Sequence, residues 1–231
     1  MNLTKNAIII TGANSGIGLE CVTQFCEEFK HNTIIAISRK LDNLNKLTRT
    51  NLISITCDVS DYASLKQIID QLLLKYKICG LITCAGTSSN GDFCDISVDK
   101  NQQMIDVNVT GLTNSIELII PHMRTNQYGT IINISSLSDR YPRPNATIYG
   151  ATKAYVKSLS DSLRVSEAPH NIRICNVSPA LIETPLLATL GKNLNGTIAV
   201  SDFVNVIKFI YQQPQSICIR DMVIAPTYYQ N

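Results

Sequence analysis

Tyr149 and Lys153 stand four residues apart in Tyr149-Gly150-Ala151-Thr152-Lys153. On a helix that spacing puts both side chains on one face. A free tyrosine titrates at about 10 and is a poor proton-transfer group at neutral pH. A neighbouring ammonium stabilises the phenolate and lowers that value. Such a pair can pass a proton to or from an alcohol or carbonyl oxygen. Tyr-x-x-x-Lys arises readily by chance, but here it has company. Ser136 precedes Tyr149 by thirteen residues, at the end of the apolar run 130–134. Asn108 lies in Asp106-Val107-Asn108-Val109-Thr110-Gly111, within a long helical stretch.

A second constellation opens the chain. The first apolar run ends in Thr11-Gly12-Ala13-Asn14-Ser15-Gly16-Ile17-Gly18, and a helical pattern follows. Gly12 permits a tight turn, Gly16 lets backbone approach a diphosphate, and Gly18 lets the helix pack close to the sheet. The helix N-terminus offers free N–H groups and a positive dipole end to phosphates. The spacing is G-x-x-x-G-x-G rather than G-x-G-x-x-G, and a plain tight turn is the blander reading. About 20 residues on, a dinucleotide binder that takes NAD carries Asp or Glu for the ribose 2′-hydroxyl. This chain has Ser38-Arg39-Lys40 instead. A guanidinium suits a 2′-phosphate, so NADP(H) is favoured over NAD(H). The alternative is that Arg39 and Lys40 merely begin a solvated helix.

The elements that must position these groups show in the hydropathy pattern. Short β-branched runs fall at 7–10, 33–37, 53–57, 80–84, 130–134, 173–177 and 222–225. Continuous apolar runs of that length suit strands buried on both faces. Between them, 17–29, 62–76, 100–124 and 149–167 have helical length and spacing. Leu65, Ile68, Ile69, Leu72 and Leu73 make one helix face. This alternation predicts βαβ units: an α/β fold with a seven-stranded parallel sheet and helices on both faces. No linker or repeat interrupts it, so residues 1–231 read as a single domain.

Composition narrows the function classes. The net charge is +2 and the longest basic run is Arg39-Lys40, which argues against nucleic acid as the main partner. No apolar run approaches 18 residues, so no transmembrane helix is expected. The eight cysteines include no Cys-x-x-Cys pair and mostly sit in strand-like runs. Without an export signal they read as reduced core thiols of a cytoplasmic protein. The three histidines are scattered, and no metal site is expected. His122 reads as structural and Pro121 as a helix kink.

Taken together, Thr11–Gly18, Asp58-Val59, Cys84-Ala85-Gly86, Asn108, Ser136, Tyr149/Lys153 and Pro179…Thr184 resemble, in order and spacing, the short-chain dehydrogenases/reductases in their compact Rossmann-fold form. The resemblance spans nearly the whole chain. It implies an oxidoreductase that interconverts a small carbonyl compound and its alcohol by hydride transfer. Tyr149 would be the general acid or base, and Lys153 would lower its pKa and bind the nicotinamide ribose. Ser136 would polarise the substrate oxygen, and Asn108 would hold a water in a proton relay by kinking its helix. For the cofactor it implies Gly12, Asn14, Ser15, Gly16, Ile17, Gly18, Ser38 and Arg39. It adds Asp58 on the adenine amino group with Val59 beside the ring, and then Cys84, Ala85 and Gly86. Tyr149, Lys153, Pro179, Ile182 and Thr184 would hold the nicotinamide end.

Some positions depart from the family pattern. Thr83-Cys84 replaces an Asn-Asn pair, which predicts altered packing beside the cofactor. Ala180 replaces a glycine after Pro179 and predicts a changed turn there, because alanine tolerates positive φ poorly. Ser138 and Asp139 would face the active-site mouth, as part of a polar substrate site or as a solvated loop. A short substrate-capping segment is expected near 186–200, over an open pocket. The C-terminal Ile219-Arg220-Asp221-Met222-Val223-Ile224-Ala225-Pro226-Thr227 is similar to NADP-linked bacterial 3-hydroxy acid and serine dehydrogenases. The resemblance also implies a homodimer or homotetramer. The alternative from another class is a non-catalytic NADP(H)-binding redox sensor or regulatory protein. An epimerase or dehydratase would call for a larger C-terminal substrate domain.

Overall fold

A computed structural model describes residues 5–189 and 196–229. Its strands are β1 (Asn6–Thr11), β2 (Thr33–Ser38), β3 (Leu52–Thr56), β4 (Lys77–Thr83), β5 (Gly129–Ile134), β6 (Ile172–Pro179) and β7 (Asp221–Ile224). They form one seven-stranded sheet in the order β3-β2-β1-β4-β5-β6-β7, with every neighbouring pair parallel. The helices are α1 (Gly16–Glu28), α2 (Tyr62–Leu73), α3 (Val98–Ile105), α4 (Leu112–Asn126), α5 (Thr147–Glu167), α6 (Pro185–Thr189) and α7 (Val200–Gln212).

The two-residue period of a strand divides the core between the faces. Ile8 and Ile10 of β1 pack in one cluster with Cys21, Val22 and Phe25 of α1 and Phe203, Val204 and Ile207 of α7. Ala7 and Ile9 pack in the other with Leu65, Ile69 and Leu72 of α2, Ile116 and Ile119 of α4, and Val156 of α5. The expected helix cover on both faces is therefore present, and it explains why the strand runs carry no polar alternation. α2 begins at Asp61, whose carboxylate accepts from Ser64 N–H at 3.1 Å.

The stretch 100–124, expected as one helix, is continuously helical but not uniformly α-helical. α3 runs into a π-helical turn over Asp106–Gly111, and α4 follows. The widened turn holds Asn108, in line with the expected kink there, whereas α4 continues through Pro121. Five cysteines are buried as expected, but Cys84 and Cys218 are half-buried and Cys94 is exposed in the loop before α3; all eight are free. His122 accepts the Ile78 N–H at 3.2 Å, a structural role that burial favours by lowering its pKa and keeping the ring neutral.

The strand order reverses between β1 and β4, both of which neighbour each other while their chain successors lie on opposite sides. At such a switch point the loops after the strands diverge and leave a crevice. Gly12 follows β1 and Cys84-Ala85-Gly86 follows β4, so the fold brings the two loops singled out in the sequence to one place.

Candidate active site

Gly12 has φ +63°, and a Cβ there would stand 2.6 Å from Ala85 Cα. Only glycine allows both that backbone and that approach. The loop leads directly into α1, whose N-cap Ser15 makes no side-chain cap, so the first N–H groups of the helix are left for a ligand. From this cradle a groove extends in both directions. One half is lined by Gly12, Ser15, Gly16, Gly18, Ser38, Arg39, Asp58, Val59 and Ala85. The other half is lined by Ser136, Tyr149, Lys153, Pro179 and Ile182. Ile17, Cys84, Gly86 and Thr184 line both. A glycine cradle, a helix N-terminus and a continuous groove on the switch point fit a dinucleotide.

Two expected residues do not line it. The Asn14 side-chain oxygen accepts from the N–H groups of Asn43 at 2.9 Å and Leu44 at 3.2 Å, so it ties two loops together instead of facing a cofactor. Asn108 is buried. Its amide donates to Thr87 O at 2.9 Å and Thr152 Oγ1 at 3.0 Å, and its oxygen accepts from Thr87 N–H at 2.8 Å. Thr152 Oγ1 in turn donates to Tyr149 O at 2.8 Å. Asn108 is thus a strut between the loop after β4 and the first turn of α5, and it holds the groove residues Thr87 and, through Thr152, Tyr149 from behind.

Tyr149 is half-buried and Lys153 is buried on α5. Beneath them Thr83 Oγ1 donates to Asn133 Oδ1 at 2.9 Å, and Asn133 donates to Ser160 Oγ at 2.9 Å. This polar ladder registers α5 on β4 and β5. Lys153 Nζ donates to Ile134 O at 2.9 Å and sits 5.8 Å from the Tyr149 ring centre. Burial lowers the Lys153 pKa to about 8, opposed by the fields of Cys84 and Asp139. The expected lowering of the tyrosine is not found. Burial raises Tyr149 above its usual value, against the pull of the Ser136 hydroxyl and the Arg143 charge. The ammonium donates to a strand carbonyl, and desolvation of the phenol dominates.

Ser136 has extended backbone, and its hydroxyl accepts from Ser138 N–H at 3.2 Å. Ser138 lines the groove, but Asp139 does not face the mouth. Its side chain is fully buried and bonded to Arg140 Nε at 2.7 Å and Ser178 Oγ at 2.5 Å. Asp58 keeps one oxygen on Ser60 N–H at 2.9 Å, while the other lies 3.9 Å from Arg39. Ala180 takes no positive φ; its N–H donates to Ile224 O at 2.8 Å, and Ile182 bridges Ile198. The substitution therefore leaves Pro179, Ile182 and Thr184 on the groove. Of the capping segment, Leu186 and Leu187 line the groove, while 190–195 lies outside the described residues.

Sequence reasoning missed the groove residues Ser88, Asn90 and Arg143. No motif marks them, since they sit in loops whose path the strands determine. Arg143 donates to the Tyr229 hydroxyl, and its guanidinium lies 5.9 Å from that ring's centre. Among the described residues no carboxylate pairs with it.

The fold and the groove define a dinucleotide-dependent oxidoreductase. The family model described as short chain dehydrogenase matches residues 6–195, and the chain belongs to that family. An uncharacterized oxidoreductase of Listeria innocua is 28% identical over 246 aligned residues, covering 98% of each chain. One of Staphylococcus aureus is 27% identical, covering 97% of this chain and 98% of its own. Among solved structures, a closed serine dehydrogenase complexed with NADP+ superposes with a TM-score of 0.91 at 24% identity, over 97% of this chain and 96% of its own. A 4-hydroxyisoleucine dehydrogenase complexed with NADH gives 0.87 at 26%, over 98% and 100%.

Proposed function

We propose that the protein is an NADP(H)-dependent enzyme that interconverts a small carbonyl compound and its alcohol. The observation that carries this reading is the groove itself: Ser136, Tyr149 and Lys153 line one end, and the glycine cradle with Ser38 and Arg39 lines the other. The bound nicotinamide dinucleotide would supply or accept the hydride. The Tyr149 hydroxyl donates the proton to the carbonyl oxygen during reduction and takes it back during oxidation. The Ser136 hydroxyl hydrogen-bonds that oxygen, and Lys153 holds a positive charge beneath the tyrosine. Asn108 acts by fixing Thr87 and Thr152. Arg39, at the mouth of β2 with no acid in the family's NAD position, supports recognition of a 2′-phosphate.

Arg143 supports a finer reading of the substrate, a small oxo or hydroxy acid. A cleft guanidinium whose described partner is one tyrosine hydroxyl suits the two oxygens of a carboxylate. The serine dehydrogenase likeness agrees with it in fold. The orphaned, buried Ser88 hydroxyl in the same cleft offers a further polar contact. The test is NADPH and NADH oxidation with short oxo acids and their methyl esters. The acids should be preferred, and Arg143→Gln should lower their kcat/KM by about 10–100-fold, the value of one charge-assisted bond, and leave the esters unchanged. Equal losses on both would remove the acid reading and leave the reductase.

Leu186 and Leu187, at the start of the expected capping segment near 186–200, support a substrate-covering role for that part of the chain. Exposed Tyr155 and Val165 on α5 support pairing of α4 and α5 in a homodimer or homotetramer; light scattering that gave a monomer at micromolar concentration would contradict it. Eight free thiols suit a reducing compartment and support a cytoplasmic location. The sensor alternative gains nothing from the relatives or the site.

A further inference from the structure

The C-terminal stretch around Asp221 stands out in the sequence, yet no step of the chemistry uses it. In the structure it ends an ionic chain that runs outward from the buried Asp139, just behind the substrate serine. Asp139 N–H donates to Ser136 O at 2.9 Å, closing the turn that carries Ser136. The Asp139 carboxylate accepts from Arg140 Nε at 2.7 Å, Ser178 Oγ at 2.5 Å and Asn176 Nδ2 at 3.4 Å. Arg140 reaches on to Asp221 with Nη2 at 2.9 Å and Nη1 at 3.0 Å, and Nη2 also donates to Ser178 Oγ at 3.0 Å. Asn176 donates to Asp221 at 2.8 Å. On the outer side Lys157 lies 3.9 Å from Asp221 and 2.7 Å from Asp161, which Arg164 also meets at 2.9 Å. Arg140, Lys157 and Arg164 thus face Asp139, Asp161 and Asp221, a balanced set of three and three.

A carboxylate this deeply buried is costly unless it is paired and fully hydrogen-bonded, and Asp139 is both. We propose that Asp139, held through Arg140 by Asp221 of β7, is a positioning residue: it fixes the turn carrying Ser136 and keeps one negative charge behind Tyr149 and Lys153. The charge has a direction of effect. It stabilises the Lys153 ammonium and opposes the Tyr149 phenolate, so it favours the neutral tyrosine beside a charged lysine. That is the protonation state from which a carbonyl oxygen can be protonated. The other groups acting on the pair are Ser136 and Arg143, which favour the phenolate, and Cys84, which favours the ammonium. The α7 and α1 clusters on the opposite sheet face are apolar.

This inference rests on the proton-donor reading of Tyr149, so the test uses a readout that needs no turnover. Lysine labelled with 13C at Cε gives one signal per lysine, and Lys153→Met assigns the one that titrates near 8. Asp139→Asn should move that titration measurably lower, because the Asp139 carboxylate favours the ammonium. Asp221→Asn, on the half-buried end of the chain, should move it the same way by less. Thermal melting and NADPH affinity show whether each variant is folded with its groove intact. The alkaline limb of carbonyl reduction should follow the same order, highest in the wild type and lowest in Asp139→Asn. Folded variants whose Lys153 titration stays at the wild-type value would overturn the proposal. If Asp139→Asn fails to fold, an unmoved titration in Asp221→Asn does so alone. Absence of any carbonyl turnover by the wild type, with the titration shifts present, would instead overturn the reductase reading.

Discussion

Lys153 gives its hydrogen bond to Ile134 O at 2.9 Å, while the Tyr149 ring centre lies 5.8 Å from its nitrogen. The lysine is anchored by the end of β5, not by the tyrosine it serves. It is a buried charge, poorly solvated and held by one carbonyl.

That burial makes Lys153 a destabilising residue. Its native pKa of about 8 lies below the usual 10.5, so below pH 8 the folded state carries the full cost of the buried ammonium. Between about 8 and 10.5 the native lysine releases its proton before the unfolded one does, and stability recovers as pH rises. At ~1.4 kcal/mol per unit the ceiling is about 3 kcal/mol. Lys153→Met should therefore raise stability at pH 7 by about 1–3 kcal/mol, less what the orphaned Ile134 carbonyl costs. The advantage should shrink between pH 8 and 10.5. Denaturant melts of both proteins across that window measure it, and a variant less stable than wild type at pH 7 would contradict it.

Gly12→Ala should be among the most damaging single-methyl changes. Alanine at φ +63° costs about 1–2 kcal/mol, and its Cβ would press on Ala85 Cα at 2.6 Å. The loops after β1 and β4 must then separate, which opens the switch point. A loss of at least about 2 kcal/mol in stability and loss of NADPH binding, followed by nicotinamide fluorescence, are the expected results.

Arg39→Glu should invert the cofactor choice. Removing a guanidinium–phosphate bond worth about 1.5–3 kcal/mol lowers NADPH affinity about 10–100-fold, and the new carboxylate repels the 2′-phosphate. NADH affinity should hold or improve. Parallel titrations of both cofactors decide it; an unchanged ratio would show that Arg39, exposed and only 3.9 Å from Asp58, is spent on the surface.

What was legible in the sequence was local. The β-branched runs, the glycine loop and the Tyr149–Lys153 spacing each lie within a short stretch of chain: the runs form strands, the loop joins β1 to α1, and the pair shares α5. What was not legible depends on partners far along the chain. Asn14 is claimed by a backbone 29 residues on, Asn108 by one 21 residues back, and Arg140 by Asp221, 81 residues on. Asp139 looked like a loop residue because its acceptor sites are filled by β6 side chains and Arg140, which no local pattern announces. The direction of the Tyr149 pKa was not legible for a related reason: spacing supplies the lysine neighbour, but burial, which raises the phenol, is set by elements far along the chain.

The proposed chemistry depends on proton donation by Tyr149 to a carbonyl oxygen. NADPH oxidation against a panel of aldehydes, ketones and oxo acids, with wild type beside Tyr149→Phe, tests it most directly. Turnover should fall about 10²–10⁴-fold in the variant while NADPH still binds, because the phenol oxygen is the only group removed. Turnover by Tyr149→Phe equal to wild type would contradict it.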